Sequence, residues 1–249
     1  MSYGRVNTPP VVLNLIIINV LFWAAASFVL PKFRIDLNSL LGLHYWSSSA
    51  FKPWQFITYM FLHDTSSISH IFFNMFGLWM FGVVLERVWG GKKFLLFYLF
   101  TGVGAGVIQE LTWMIDFAKY GEMFRMAMEN NDGSYLSSII TNAQHMTLSD
   151  MVRMKDEFFS IPVTVGASGA LFGILLAFGW LFPEQKMFII FVPIPIPARI
   201  FVAIYAVIEL LLGVWGFSVD NVAHFAHLGG MIFAAILLLI WKRQGRLYN

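Results

Sequence analysis

An all-α membrane protein is the fold class this sequence predicts. Hydrophobic residues fill 58% of its 249 positions and charged residues 12%, where soluble domains carry roughly a quarter charged. Mean hydropathy is +0.71. The apolar residues come in long runs, not in stripes of period 2 or 3.6, and runs of about 20 match a hydrocarbon core roughly 30 Å thick.

Six spans are predicted, at residues 11–30, 68–88, 94–113, 167–182, 200–216 and 223–241. The first is expected to be a retained transmembrane helix, because its apolar run continues at full spanning length, where a cleaved signal peptide has a shorter core before a small-residue cleavage site. An even number of spans puts both termini on one side. The short loops and tails of that side carry Arg5, Arg87, Lys92, Lys93, Lys186, Arg199, Lys242, Arg243 and Arg246. Cations in short loops mark the cytoplasmic face, so both termini are expected there. The opposite face holds an outer loop over 31–52 and a long insertion over about 115–160, between spans three and four. The insertion reads as two amphipathic helices, near 117–128 and 148–159. It is expected either to rest on the membrane surface or to lie over a cavity mouth. The inner connector with Pro193, Pro195 and Pro197 reads as extended polyproline-like chain. Residues 1–249 form a single domain in this reading.

Cysteine is absent, which removes disulfides, thiol nucleophiles and cysteine-based zinc sites. The formal net charge of +2 is too small to point to nucleic acid.

Polar residues inside spans are costly and so informative. His70 and Asn74, one turn apart in span two, share a face. Ser168 opens span four and His224 opens span six. Spans two, four and six run the same way, so all four groups collect near one depth on the outer side. Ser168 lies in Gly166-Ala167-Ser168-Gly169, where helix-start N–H groups without intrahelical partners could hold an oxyanion. The same small residues are also what close helix packing uses. His224 could serve as a base, with His227 one turn on as the rival. The histidines could in principle bind metal, but no spanning carboxylate completes such a site in this reading, and no cofactor is expected. Glu209 in span five reads as an internal helix–helix hydrogen bond, and Asp220 as a solvated loop charge. There is no His-Glu-x-x-His and no pair of spanning aspartates, which leaves serine chemistry.

Taken with Trp54-Gln55-Phe56-Ile57-Thr58, Phe61-Leu62-His63, Glu86 and Gly90, these motifs resemble the rhomboid family of intramembrane serine proteases over nearly the whole chain. The resemblance implies a six-helix bundle with an outward-open, water-filled cavity and a Ser–His dyad without an acid. It implies Ser168 as nucleophile and His224, following Ala223, as base. In that register His227 takes a position often held by glycine. The resemblance further implies an oxyanion hole from His70, Asn74 and the Ser168 N–H, with Phe172 packed on the imidazole and Gly166 and Gly169 in support. The expected partners are transmembrane protein substrates and the bilayer. The expected location is a bacterial inner membrane, since the N-terminus is not transit-like. The alternative is a catalytically inactive relative that binds membrane clients.

Overall fold

A computed structural model describes residues 7–189, 192–215 and 223–248. Arg5, Gly216 and Asp220 lie outside the described residues. The chain opens with α1 (Pro10–Ala24), which continues through a π turn (Ala25–Val29) and a 3-10 turn (Leu30–Phe33). Its first free N–H groups are capped from a distance. The buried Glu86 carboxylate accepts from Val11 N at 2.9 Å and Val12 N at 2.7 Å, so Glu86 locks α1 to the second span.

The first outer loop holds α2 (Leu37–Leu41), β1 (Leu43–His44) and α3 (Gln55–Thr58). Gln55, fully buried, organises it by accepting from Lys52 N at 3.0 Å and donating to the Ala50 carbonyl at 3.1 Å. The second span is α4 (Ile68–Gly77), a π turn (Leu78–Gly82) and α5 (Val83–Trp89).

The third span does not stop where its apolar run stops. Helix α6 runs unbroken from Gly91 to Asn130, so the segment near 117–128 is its outward extension and not a separate helix. The second expected helix is α7 (Leu148–Ser160), begun by a Thr147/Asp150 capping box. These two pack through a ring cluster of Tyr45, Phe117, Phe124, Phe158 and Phe159. Asp156 accepts from Ser49 N at 2.7 Å, which ties the insertion to the first loop.

After β2 (Val163–Thr164) comes α8 (Ser168–Leu181). The inner connector is a hairpin of β3 (Lys186–Ile189) and β4 (Val192–Pro197), paired antiparallel with Lys186 opposite Pro197. The expected polyproline stretch is therefore extended but paired. The bundle closes with α9 (Ala198–Trp215) and α10 (His224–Arg243).

Among the described residues five helical stretches are long and apolar enough to cross a membrane, while α8 is a shorter apolar helix of 14 residues. Large apolar side chains such as Phe72, Phe73, Trp79, Val207 and Ile232 are exposed around the outside. A water-soluble monomer rarely shows so much apolar surface. The chain is an integral membrane protein of the multi-pass helical kind.

Candidate active site

The turn that delivers Ser168 is held from the first loop. Strands β1 and β2 pair Leu43 with Thr164 and His44 with Val163, and Gly166 N donates to the Tyr59 carbonyl at 2.9 Å. Gly166 has φ +136°, a conformation L side chains rarely adopt. A Cβ there would stand 3.3 Å from His70 Nε2 and 3.4 Å from Ser168 Oγ. The absent side chain thus leaves open the space between those two groups. Ser168 then begins α8 with no side-chain cap on the helix, so helix-start N–H groups remain available to an anion.

Helix α10 meets α8 backbone to backbone. A Cβ on Gly230 would fall 1.9 Å from the Gly169 carbonyl oxygen, a contact only glycine allows. His227 precedes Gly230 by one turn, and Ser168 immediately precedes Gly169, so this approach brings the two side chains together. His227 Nε2 lies 2.8 Å from Ser168 Oγ. Phe172, one turn along α8, stacks on the His227 ring with centroids 4.3 Å apart and planes 10° from parallel.

The expectation that His224 faces Ser168 is corrected here. Three residues turn a helix through about 300° and advance it about 4.5 Å, so His224 and His227 cannot present the same atom to one serine. His224 is directed instead at α9, its Nδ1 2.7 Å from Glu209 Oε2. His227 Nδ1 reaches the same oxygen at 2.9 Å. The side chains of Glu209, His224 and His227 are each about nine-tenths buried. Phe172 does pack on an imidazole, but on that of His227.

His70 and Asn74 come from α4 on the far side of the serine. His70 Nδ1 accepts from Asp64 N at 3.3 Å. A neutral ring then carries its proton on Nε2, the nitrogen beside Gly166 and Ser168. Asn74 Nδ2 donates to the His70 carbonyl at 2.8 Å, and its Oδ1 is buried without a partner. His63 packs edge-on against His70, with ring centroids 5.1 Å apart, and both its nitrogens are buried and unpartnered. Burial, reinforced by the neighbouring His70, depresses the His63 pKa to about 3.

His70, Asn74, Ser168 and His227 line one cavity of about 640 Å³, edged by Asn38 and Asp64 of the outer loops. No residue of 117–160 lines it.

A metal was not expected for want of a spanning carboxylate, yet Glu209, His224 and His227 place one ligand atom each within 4.8 Å of one another. Ligands held tetrahedrally at about 2.0 Å sit about 3.3 Å apart. The observed 2.7 and 2.9 Å between oxygen and nitrogens are hydrogen-bond separations.

Comparison with known proteins agrees with this frame. The model of the rhomboid domain matches residues 50–119 and 123–244. The chain belongs to the rhomboid family. It is 28% identical over 213 residues to Rhomboid protease GluP of Bacillus subtilis, covering 84% of this chain and 29% of that protein. It is 27% identical over 201 residues to Rhomboid protein 1, mitochondrial, of Saccharomyces cerevisiae, covering 74% and 46%. RHOMBOID-like protein 12, mitochondrial, of Arabidopsis thaliana is 27% identical over 240 residues, covering 94% and 58%. This rhomboid therefore spans less than two thirds of the length of each of these relatives.

Sequence reasoning passed over two residues of this rhomboid's site. His227 was set aside for His224, although Gly229-Gly230 after it signals the close helix contact that aims it. Glu209 was seen as a helix–helix hydrogen bond without its partners. Its depth in an apolar span was the signal, since a buried carboxylate needs donors.

Proposed function

We propose that this rhomboid is an intramembrane serine endopeptidase that cuts transmembrane segments of other membrane proteins, with Ser168 as nucleophile and His227 as general base. The observation that carries the reading is the 2.8 Å contact between Ser168 Oγ and His227 Nε2 inside a polar cavity of an otherwise apolar bundle. In this mechanism Nε2 takes the Ser168 proton as Oγ attacks the peptide carbonyl, then gives it to the leaving amine. The developing oxyanion is held by the His70 Nε2–H, Asn74 and the N–H of Ser168. Water entering the cavity then attacks the acyl ester on Ser168, giving a proton to His227 Nε2, which returns it to Oγ as the acid product leaves.

Depth supports a substrate within the bilayer. Fourteen helical residues measure about 21 Å, against roughly 30 Å of hydrocarbon. With its inner end at the inner surface, α8 presents Ser168 below the outer one. The insertion belongs to the same domain as an outer appendage. The cations of the short loops support a cytoplasmic location for both termini.

The test is cleavage of a model transmembrane substrate in proteoliposomes. The parent should produce two fragments and Ser168→Ala none. A parent that binds the substrate and leaves it intact would establish the inactive, client-binding reading instead.

A further inference from the structure

We propose that Glu209 extends the dyad into a Ser168–His227–Glu209 chain, as a positioning residue that holds His227 in its Nδ1–H tautomer, with His224 holding Glu209 in turn. This rests on the assignment of Ser168 and His227 made above.

The chain is continuous. Ser168 Oγ to His227 Nε2 is 2.8 Å, and His227 Nδ1 to Glu209 Oε2 is 2.9 Å. A neutral imidazole has one N–H and one acceptor nitrogen. A carboxylate cannot donate, so its contact puts the proton on Nδ1 and leaves the Nε2 lone pair directed at Ser168. Oε2 meets two ring nitrogens, at 2.7 and 2.9 Å. The carboxylate form accounts for both contacts, each ring donating.

Phe172 does not duplicate this role. Its stacking on His227 at 4.3 Å and 10° sets the plane of the ring, but a half-turn of the imidazole about its Cβ–Cγ bond would keep that stack. Only a partner that tells Nδ1 from the opposite edge selects the orientation and the tautomer. Once His227 has taken the serine proton, the same carboxylate faces the imidazolium across the shared hydrogen bond, in surroundings where charge is otherwise poorly solvated.

His224 explains why the carboxylate stays where it is. Its Nδ1 approaches Oε2 from one turn further out on α10, so two donors on one helix clamp a side chain from α9. The geometry is that of a hydrogen-bonded clamp and not of a metal, by the separations given above.

The experiment joins kinetics to the state of the ring. Steady-state cleavage of a transmembrane substrate is measured for the parent, Glu209→Gln and Ser168→Ala. In parallel, ¹⁵N spectra are recorded on histidine-labelled protein, with the His227 signals found by their loss in His227→Ala. Replacing the acid by an amide in a soluble serine-protease triad lowers kcat about 10⁴-fold through the wrong tautomer. Because Phe172 also restrains the ring, the expected loss for Glu209→Gln is about 10²–10³-fold in kcat, with KM within about twofold. The parent spectrum should show a protonated Nδ1 and unprotonated Nε2 on His227, and Glu209→Gln should mix the two tautomers.

An Nε2–H tautomer in the parent would overturn the proposal without need of any variant, and is also what a metal ion on Nδ1 would produce. Unchanged kcat in Glu209→Gln, with Ser168→Ala inactive, would overturn it while leaving the dyad intact. Cleavage persisting in Ser168→Ala would instead overturn the reading on which it rests.

Discussion

Gly230→Ala is expected to damage the site although residue 230 touches no reacting group. The added methyl would start 1.9 Å from the Gly169 carbonyl oxygen, where real Cβ contacts essentially never fall below 3.0 Å. That oxygen belongs to the backbone of α8 and cannot swing aside, so the two helices must part by at least ~1.1 Å. His227 is on the same helix one turn away and retreats with it. Its Nε2–Oγ separation of 2.8 Å then grows to about 3.9 Å, past the roughly 3.2 Å limit of a hydrogen bond. A displacement of about 1 Å can cost on the order of 10² in rate, and overpacking of this kind about 1–3 kcal/mol in stability. The assay is the second-order rate of Ser168 labelling by a fluorophosphonate, beside a thermal melt to show that the protein is folded. Gly121→Ala is the control, since its Cβ meets nothing nearer than Phe159 Cζ at 3.9 Å. It should label at the parent rate and gain about 0.5–1 kcal/mol. A folded Gly230→Ala that labels as fast as the parent would refute the idea that the Gly169–Gly230 contact sets the dyad.

Asn74→Ala should lower kcat for transmembrane-substrate cleavage with little change in KM, because an oxyanion donor acts in the transition state. One lost donor in a soluble protease costs about 10²–10³, and less is expected here, with His70 and the Ser168 N–H sharing the charge; a parent-like kcat would remove Asn74 from the site. His63 gives a pH signature. The ring stays neutral in the folded protein down to about pH 3 but protonates near 6.5 when unfolded. The unfolded state therefore binds the extra proton, and stability is lost as pH falls from about 6.5 towards 3, by up to about 1.4 kcal/mol per pH unit. Melting temperatures of His63→Phe across that window should fall less steeply than the parent's, and parallel curves would contradict the assignment.

The membrane class and most of the spans were legible because long apolar runs leave a chain few alternatives. The outward extension of α6 was not, because Asp116, Lys119 and Glu122 end the apolar run without ending the helix. Hydropathy reports where lipid ends, not where hydrogen bonding ends. The connector with Pro193, Pro195 and Pro197 reads as extended from its prolines, but its pairing with β3 is a contact the prolines do not signal, since proline removes donors and pairing needs only one edge of β4 to supply them. Ser168, His70 and Asn74 stand out by the rule that polar groups in spans need a reason, and the structure brings them to one cavity. That rule cannot rank His224 against His227, which sit one turn apart in similar surroundings. The distinction arises from the Gly169–Gly230 approach and from Glu209 on a third helix, both contacts between residues distant in sequence.

The central claim is that His227, not His224, activates Ser168, and it is tested most directly by fluorophosphonate labelling of the two alanine variants. With His227→Ala, labelling of Ser168 should fall to the level of Ser168→Ala, since the nitrogen at 2.8 Å is gone and nucleophile and base act as one unit. With His224→Ala it should stay within about tenfold of the parent, because His224 acts on Glu209 and not on the serine. Full labelling in His227→Ala together with its loss in folded His224→Ala would contradict the account.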